Sequence, residues 1–198
     1  SGTIFFSNCN MRCVYCQNYE FSQEEAGKEA SEEKIADFML ELQKEGCHNI
    51  NFVTPTHVVP QILKALILAI EKGLKIPLVY NSSGYDSVDV LRELEGVFDI
   101  YLPDARYADG EVSWKYSKAR DYPQVNKLAL KEMRRLAGLT ILDEQGVIRS
   151  GLIIRHLVLP SGLSGTEALM GFISRELGLD TYTSLMSQYF PCYNSAKY

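Results

Sequence analysis

Residues 49–80 have the sequence NINFVTPTHVVPQILKALILAIEKGLKIPLVY, and this stretch decides the fold class. Asn49–Thr54 and Ile76–Tyr80 are short runs rich in β-branched and aromatic residues, which is typical of strands. Between them, Pro60 begins a helix whose apolar residues recur every three or four positions as far as Gly73. A strand, a helix and a second strand in this order form a right-handed unit with parallel strands. The stretch therefore predicts an α/β fold with a parallel sheet.

The same alternation continues on both sides of this unit. Further strands are predicted at Thr3–Ser7, Phe98–Leu102, Leu152–Leu159 and Thr181–Met186, and further helices at Ser31–Gly46, Ser87–Gly96, Tyr122–Leu136 and Ser164–Leu177. A small hairpin is expected around Gln145 and Gly146, and Ser164 with Glu167 has the spacing of a capping box. Six such units fit an open sheet or an incomplete barrel, and in both the chemistry is expected at the carboxyl ends of the strands. We expect residues 1–198 to form one domain and, because the chain begins with Ser in a strand-like run, to be a fragment of a longer protein.

Composition and charge narrow the class of protein. The 198 residues are 46% hydrophobic and 23% charged, a balance typical of a globular domain. The formal net charge is −5, so the chain has no excess of positive charge with which to neutralise the phosphates of a nucleic acid. The longest apolar run, Ala65–Ile70, is far shorter than the roughly 20 residues that span a bilayer. Since no basic and then apolar leader sequence precedes the first predicted strand, we expect a cytoplasmic protein. From the net charge and the short apolar runs we expect neither a nucleic-acid nor a membrane partner.

Three of the five cysteines lie in the segment CNMRCVYC, directly after the first predicted strand. A loop this short can place the thiolates of Cys9, Cys13 and Cys16 around one iron–sulfur cube and leave one iron without a protein ligand. A structural zinc site needs four ligands, and a ferredoxin-type cluster needs a fourth cysteine nearby. Cys47 and Cys192 are isolated and are expected to be plain thiols. Zinc binding or buried, inert thiols are the alternatives to an iron–sulfur site in a reducing compartment.

Five segments of the sequence together resemble a known family. They are IFFSNCNMRCVYCQNYE, NFVTPTHVVPQI, YNSSGYDS, DIYLPDARY and IIRHLVLP, and the likeness runs over essentially the whole chain. The cysteine motif, with Tyr15 before its third cysteine, resembles the radical S-adenosylmethionine (SAM) superfamily. The segments together resemble the pyruvate formate-lyase activating enzyme-like group within it. The resemblance implies an incomplete (β/α)6 barrel that carries one [4Fe–4S] cluster and S-adenosyl-L-methionine.

The resemblance also implies a reaction and assigns the cysteine loop a part in it. Cys9, Cys13 and Cys16 would hold the cluster, and the fourth iron would bind the amino and carboxylate groups of S-adenosylmethionine. An electron from the reduced cluster would cleave the carbon–sulfur bond, giving methionine and a 5′-deoxyadenosyl radical that takes a hydrogen atom from the substrate. Tyr15 would lie against the adenine, or would be a loop aromatic that only packs.

Two polar turns follow the second and third predicted strands. Where the family carries Gly-Gly-Glu against the methionine amino group, this chain has TPTH, so Thr54 and Thr56 are the expected acceptors. His57 is either a ligand contact or the start of the next helix. Asn81 and Ser83 are expected to meet the ribose and carboxylate, although Asn in place of an acid puts a cation site of some relatives in doubt. An ordinary hydrogen-bonded turn is the alternative.

Charged side chains end the fourth predicted strand and interrupt the fifth. Asp104 is a candidate site residue or a turn residue, and Arg106 shares its side if the chain stays extended. Arg155 needs an anionic partner because an unpaired buried guanidinium is costly. The resemblance implies that Arg155 faces the carboxylate and ribose of S-adenosylmethionine, with a structural salt bridge as the alternative. His156 is then expected to pack on the opposite face, and Gln188 and Tyr189 are further candidates after the sixth strand.

The partners are implied by the resemblance alone. They are a glycyl-radical enzyme, whose backbone glycine would lose an α-hydrogen, and a flavodoxin- or ferredoxin-type reductant. A superfamily enzyme that acts on another protein or a small molecule is the alternative, and a non-catalytic iron–sulfur electron carrier is a third. Cleavage of S-adenosylmethionine separates the third from the others, because an electron carrier has no need of the Asn81 turn or of Arg155.

Overall fold

A single sheet of mostly parallel strands organises the computed structural model, which describes residues 1–24 and 26–198. The strands are β1 (Gly2–Phe5), β2 (Ile50–Val53), β3 (Leu78–Asn81), β4 (Ile100–Tyr101), β5 (Ile141–Leu142), β6 (Ile148–Leu157) and β7 (Tyr182–Met186). Strands β1, β2, β3, β4, β6 and β7 pair in that order and run parallel, whereas the short β5 runs antiparallel to the start of β6. Within the described residues no ladder joins β1 to β7, so the sheet is open. The prediction of an α/β fold with an incomplete (β/α)6 barrel is confirmed.

Seven α-helices accompany the strands in the described part of the chain. They are α1 (Tyr19–Ser22), α2 (Glu32–Lys44), α3 (Val59–Glu71), α4 (Val88–Glu93), α5 (Gly110–Ser117), α6 (Tyr122–Ala137) and α7 (Thr166–Phe172). As expected from the sequence, Ser31 caps α2, because its side chain accepts a hydrogen bond from the N–H of Lys34 at 3.3 Å. The apolar stripes of α2, α3, α4 and α6 bury against the sheet, and residues such as Met39, Ala65 and Met133 are fully buried there. This main core fixes the strands whose ends carry the polar residues.

A second, smaller core lies under the loop that follows β1. Met11, Cys13, Val14 and Tyr15 are buried there, against a set of residues from later in the chain: Tyr107, Ala119, Tyr122 and Leu159. The cysteine loop is therefore anchored by buried apolar contacts with these later residues.

Two local predictions have opposite outcomes near the end of the chain. The hairpin around Gln145 and Gly146 is confirmed by the antiparallel pairing of β5 with β6. The prediction of a capping box at Ser164 is wrong. The residue that precedes α7 is Gly165, in the left-handed region at φ 66°, and no side chain caps the helix there. The hydroxyl of buried Ser164 instead accepts a hydrogen bond from the N–H of Leu159 at 3.2 Å.

Among the described residues, none of the helices has both the length and the apolar character required to traverse a bilayer.

Candidate active site

The cysteine loop connects β1 to α1 and is fastened to the end of α5. The backbone N–H groups of Arg12 and Val14 donate to the carbonyls of Ser117 and Tyr116 at 3.0 and 2.9 Å. These bonds bury Cys13, which lies between them, and leave Cys9 and Cys16 half-buried. The loop is thus held in place by backbone contacts that do not depend on the thiols.

All three cysteines of the motif line one cavity. Its wall also contains polar residues that the sequence predicted for the site, together with Arg106: they are Thr54, Asn81, Ser83, Asp104 and Arg155. A neighbouring cavity shares Cys16, Asp104 and both arginines and is completed by Tyr15, Met186 and Gln188. The contributing residues come from the carboxyl ends of the parallel strands, where an α/β fold places its ligands.

Each thiol of the motif has a different neighbour. Cys13 Sγ accepts a hydrogen bond from Ser117 Oγ at 3.0 Å, Cys9 Sγ accepts one from the N–H of Met11 at 3.4 Å, and Cys16 Sγ lies 3.1 Å from Ser22 Oγ. Burial raises the pKa of the Cys9 thiol and raises that of Cys13 to about 11. The positive charge of Arg106 offsets part of this rise in the pKa of both thiols. Binding of a metal centre would therefore have to displace protons from these thiols.

The three thiols are arranged around the cavity and do not meet at one point. In residues 1–24 and 26–198, no three Cys, His, Asp or Glu side chains come together as ligands of a single metal ion. A single zinc ion would require sulfurs that all lie about 2.3 Å from one centre. Three thiols from one short loop that line a single cavity are a donor set of the kind that holds an iron–sulfur cluster.

Asp104 bridges two arginines at the mouth of the cavity. Its Oδ2 accepts from Arg106 Nη2 at 2.5 Å and its Oδ1 pairs with Arg155 Nη2 at 2.9 Å. Asn81 Oδ1 accepts a further hydrogen bond from Arg155 at 2.7 Å. The Nε atoms of both arginines are buried and have no hydrogen-bond partner in the described structure. Arg106 and Arg155 together carry one positive charge more than Asp104 neutralises, and each has an Nε–H donor without a partner. This wall is therefore suited to an anionic or oxygen-rich ligand.

The turn after β3 lies close against this wall. Gly84 has φ 72°, and a Cβ there would lie 2.2 Å from the carbonyl oxygen of Asp104, so no side chain fits. Ser83 Oγ donates to Asn10 Oδ1 at 3.2 Å, and Asn10 in turn donates to the carbonyl of Tyr85 at 2.6 Å. The turn therefore ties the cysteine loop to the end of β4.

Thr54 and Thr56 are separated by the fold. Thr54 lines the cavity, whereas the structure places Thr56 away from its wall, with its hydroxyl donating to Asp86 Oδ1 at 2.7 Å. The same buried carboxylate accepts hydrogen bonds from Tyr80 at 2.9 Å and from Ser82 at 2.6 Å. Burial raises the pKa of Asp86. This group is internally satisfied and contributes no free donor to the cavity.

The histidines and Tyr15 also have defined partners. Exposed His57 places Nε2 2.7 Å from the carbonyl oxygen of Ser7, at the start of the cysteine loop. His156 is fully buried on the face opposite Arg155, where its ring nitrogens lie 2.6 Å from Ala105 O and 2.9 Å from Thr166 Oγ1. Tyr15 is also buried, and its hydroxyl donates to Tyr107 at 2.6 Å.

Three residues important to the geometry were not among the predicted site residues. The sequence marks Arg106 only as a neighbour of Asp104, although a charge at the end of a strand is a usable signal. Asp86 and Ser117 gave no comparable signal. Asp86 is hydrogen-bonded to Thr56 and Ser117 to Cys13, and both partners are distant in the sequence. The periodicity of apolar residues within one helix or strand does not predict such contacts.

Residues 3–155 match the model of the radical SAM superfamily. The chain belongs to that superfamily. The matched range includes the cysteine motif and ends at Arg155, so it spans the cavity described above. The two cofactors of the superfamily are those expected from the sequence, a [4Fe–4S] cluster and S-adenosylmethionine.

One relative is similar over the whole chain. The uncharacterised protein MJ0674 of Methanocaldococcus jannaschii is 35% identical over 207 aligned residues, which cover 100% of this chain and 56% of the relative. The chain thus spans about half the length of this relative.

Several solved structures have a similar fold. The hydrogenase maturase HydG from Carboxydothermus hydrogenoformans has a TM-score of 0.66 at 17% identity, over 98% of this chain and 45% of its own. anSMEcpe with bound AdoMet has a TM-score of 0.64 at 14% identity, over 93% and 51% of the two chains. Streptococcus suis SuiB bound to the precursor peptide SuiA has a TM-score of 0.64 at 14% identity, over 94% and 39%. At these identities the likeness bears on the fold alone.

Proposed function

We propose that the chain cleaves S-adenosylmethionine reductively at the cysteine-lined cavity, to methionine and a 5′-deoxyadenosyl radical that abstracts a hydrogen atom. One observation carries the proposal: three thiols share a cavity with two arginines whose buried Nε atoms have no partner. An electron carrier would need the thiols but would have no use for spare donors beside them. Superfamily membership supports the same reaction.

The side chains divide the work of holding the two cofactors. Cys9, Cys13 and Cys16 would hold the [4Fe–4S] cluster, which supplies the electron when it is bound and reduced. Asp104 holds Arg106 and Arg155 in fixed positions, and their free N–H groups would donate to carboxylate or ribose oxygens.

The remaining wall residues would orient the other parts of S-adenosylmethionine. Asn81 steadies Arg155, and Ser83 and Thr54 offer hydroxyls toward the ribose and the ammonium group. Tyr15 would lie against the adenine, since it lines the second cavity beside Cys16. Thr56 is the weakest of the candidates, because its hydroxyl is already bonded to Asp86.

The test is anaerobic reconstitution with iron and sulfide, reduction, addition of S-adenosylmethionine and chromatography for 5′-deoxyadenosine. The wild-type chain should form the product, and Cys9→Ala, Cys13→Ala and Cys16→Ala should lose both the cluster absorbance and the product. Cys47→Ala is the matched control, because Cys47 is outside the cavity and should be dispensable. A chain that holds iron and sulfide but forms no product would refute the proposal.

We further propose a glycyl-radical enzyme as the substrate, as in the pyruvate formate-lyase activating enzyme-like group, and a flavodoxin- or ferredoxin-type reductant. The support is the likeness of the five sequence segments, together with an open sheet that leaves room for a protein at one side. Thiol ligation of an iron–sulfur cluster also suits the reducing cytoplasm as the location. Incubation with a glycyl-radical partner should produce an EPR doublet. If 5′-deoxyadenosine forms but no doublet appears with any such partner, the substrate is a different protein or a small molecule.

A further inference from the structure

Cys13 differs from the other cysteines of the motif in what supports its sulfur. Its Sγ accepts a hydrogen bond from Ser117 Oγ at 3.0 Å, and both residues are buried. Cys9 receives a backbone N–H instead, and the neighbour of Cys16 belongs to the short helix α1. Of these three cysteines, Cys13 alone accepts a hydrogen bond from a fully buried side-chain hydroxyl.

The contact to Cys13 is the end of a chain of hydroxyl groups. Ser117 Oγ lies 2.7 Å from the hydroxyl of Tyr107, and Tyr107 accepts a hydrogen bond from the hydroxyl of Tyr15 at 2.6 Å. Ser117 and Tyr107 are 0% exposed, so water does not compete for these bonds. The rings of Tyr15, Tyr107 and Tyr122 pack edge to face in sequence, which fixes where the phenol oxygens lie.

A thiolate at Cys13 sets the direction of the whole chain. Each hydroxyl has one proton to donate, and a thiolate can only accept. Ser117 must then donate to Cys13, so it accepts from Tyr107, which in turn accepts from Tyr15. Hydrogen bonds aligned in this way polarise one another, and the bond to the sulfur is strengthened by those behind it.

We propose that Ser117 and Tyr107 are positioning residues that orient Cys13 and raise the reduction potential of the cluster it holds. The inference rests on the proposed function, because it requires Cys13 to be a cluster ligand. Reduction adds one electron from an external donor, and no bond in the protein is made or broken. A hydrogen bond to a ligand sulfur stabilises the more negative state, so it raises the potential.

The experiment is an EPR-monitored dithionite titration of the reconstituted protein, without S-adenosylmethionine. Ser117→Ala should lower the midpoint potential, and Tyr107→Phe should lower it less, because Ser117 still donates after its own donor is lost. Ser113→Ala is the matched control. Ser113 is an equally buried serine of the same helix whose hydroxyl donates to Ala119 O at 2.6 Å and does not touch Cys13. Its potential should equal that of the wild type.

The outcomes separate this inference from the proposed function. If the wild type assembles its cluster and forms 5′-deoxyadenosine while Ser117→Ala keeps the wild-type potential, the inference alone is overturned. An equal shift in Ser113→Ala would also overturn it, since any buried serine would then have the effect. If Ser117→Ala holds no cluster, Tyr107→Phe decides: a lowered potential supports the hydroxyl chain and an unchanged one refutes it. A wild type without cluster or product refutes the proposed function itself.

Discussion

Asp86 and Asp104 are two buried carboxylates near the carboxyl ends of neighbouring strands, and their surroundings are opposite in kind. Asp86 accepts hydrogen bonds from three hydroxyls, those of Thr56, Tyr80 and Ser82. Asp104 pairs with Arg106 and Arg155, and each of these arginines keeps a buried Nε without a partner. The first group is closed on itself and the second is left open toward the cysteines.

The comparison distinguishes polar residues that stabilise the structure around the site from polar residues that are available to bind a ligand there. A buried polar atom without a partner costs free energy, so a fold tolerates one where a ligand can satisfy it. By this criterion we propose the Asp104 group as the ligand-binding wall, whereas the Asp86 group holds the turns after β2 and β3 together. Substitutions in one group that leave the other group unchanged therefore test this distinction.

The largest effect on folding is expected from Asp86→Ala. The change leaves three buried hydroxyls without their acceptor, at about 1–3 kcal/mol for each, partly offset because a desolvated carboxylate is removed. We expect the free energy of unfolding of the cluster-free chain to fall by about 3 kcal/mol, measured by urea denaturation. Asp89→Ala, which removes an exposed carboxylate from α4, is the control and should stay within about 0.5 kcal/mol of the wild type. Equal stability of the two variants would contradict a closed, structural Asp86 group.

The next effect concerns ligand affinity and the open group. Arg155→Gln removes a charged donor, and a hydrogen bond that involves a charged group contributes about 1.5–3 kcal/mol. The dissociation constant of S-adenosylmethionine on the reconstituted protein should rise about 10- to 100-fold in calorimetric titrations. Arg149→Gln is the control from the same strand, because exposed Arg149 pairs with Asp143 and does not line the cavity. Similar affinities for both variants would exclude Arg155 from the binding wall.

A smaller effect is expected in the pH dependence of stability. Burial raises the pKa of Asp86, so the folded chain favours the protonated acid relative to the unfolded chain. Its contribution to stability is complete below the unfolded pKa of about 3.9 and falls as the pH rises through the raised folded pKa. Asp86→Asn removes this titration. The free energy of unfolding of Asp86→Asn minus that of the wild type should therefore increase with pH from about pH 4 upward. A difference independent of pH would show that Asp86 does not titrate with a raised pKa.

The smallest effect on binding is expected from Thr56→Val. Because the Thr56 hydroxyl is bonded to Asp86, its loss should reduce stability by about 1 kcal/mol and leave the affinity for S-adenosylmethionine unchanged. Thr54→Val is the informative partner, since Thr54 lines the cavity and its loss should weaken binding. If Thr56→Val weakens binding as much as Thr54→Val does, the two groups are not separate.

The fold, and the edge of the sheet at which the candidate residues gather, could be predicted because both follow from local periods. The alternation of strands and helices gave the six parallel strands, and parallel strands bring Thr54, Asn81, Asp104 and Arg155 to one edge whatever the details of the loops. Opposite faces for Arg155 and His156 also follow from the period of two in β6.

The pairing within the site could not be predicted in the same way. Thr56 contacts Asp86, which lies thirty residues later in the sequence, and Ser117 contacts Cys13, which lies more than a hundred residues earlier. These contacts depend on how the loops pack in three dimensions. The error at Ser164 has a similar cause, because a tertiary contact to Leu159 took the hydroxyl that the local pattern assigned to a helix cap.

The most direct test of the account is the EPR spectrum of the reduced, reconstituted protein before and after addition of S-adenosylmethionine. If three thiols hold a four-iron cluster and leave one iron to the substrate, the spectrum should change on addition of S-adenosylmethionine, and Cys13→Ala should give no cluster signal. A protein that contains zinc instead of iron, or whose cluster spectrum is indifferent to S-adenosylmethionine, would contradict the account.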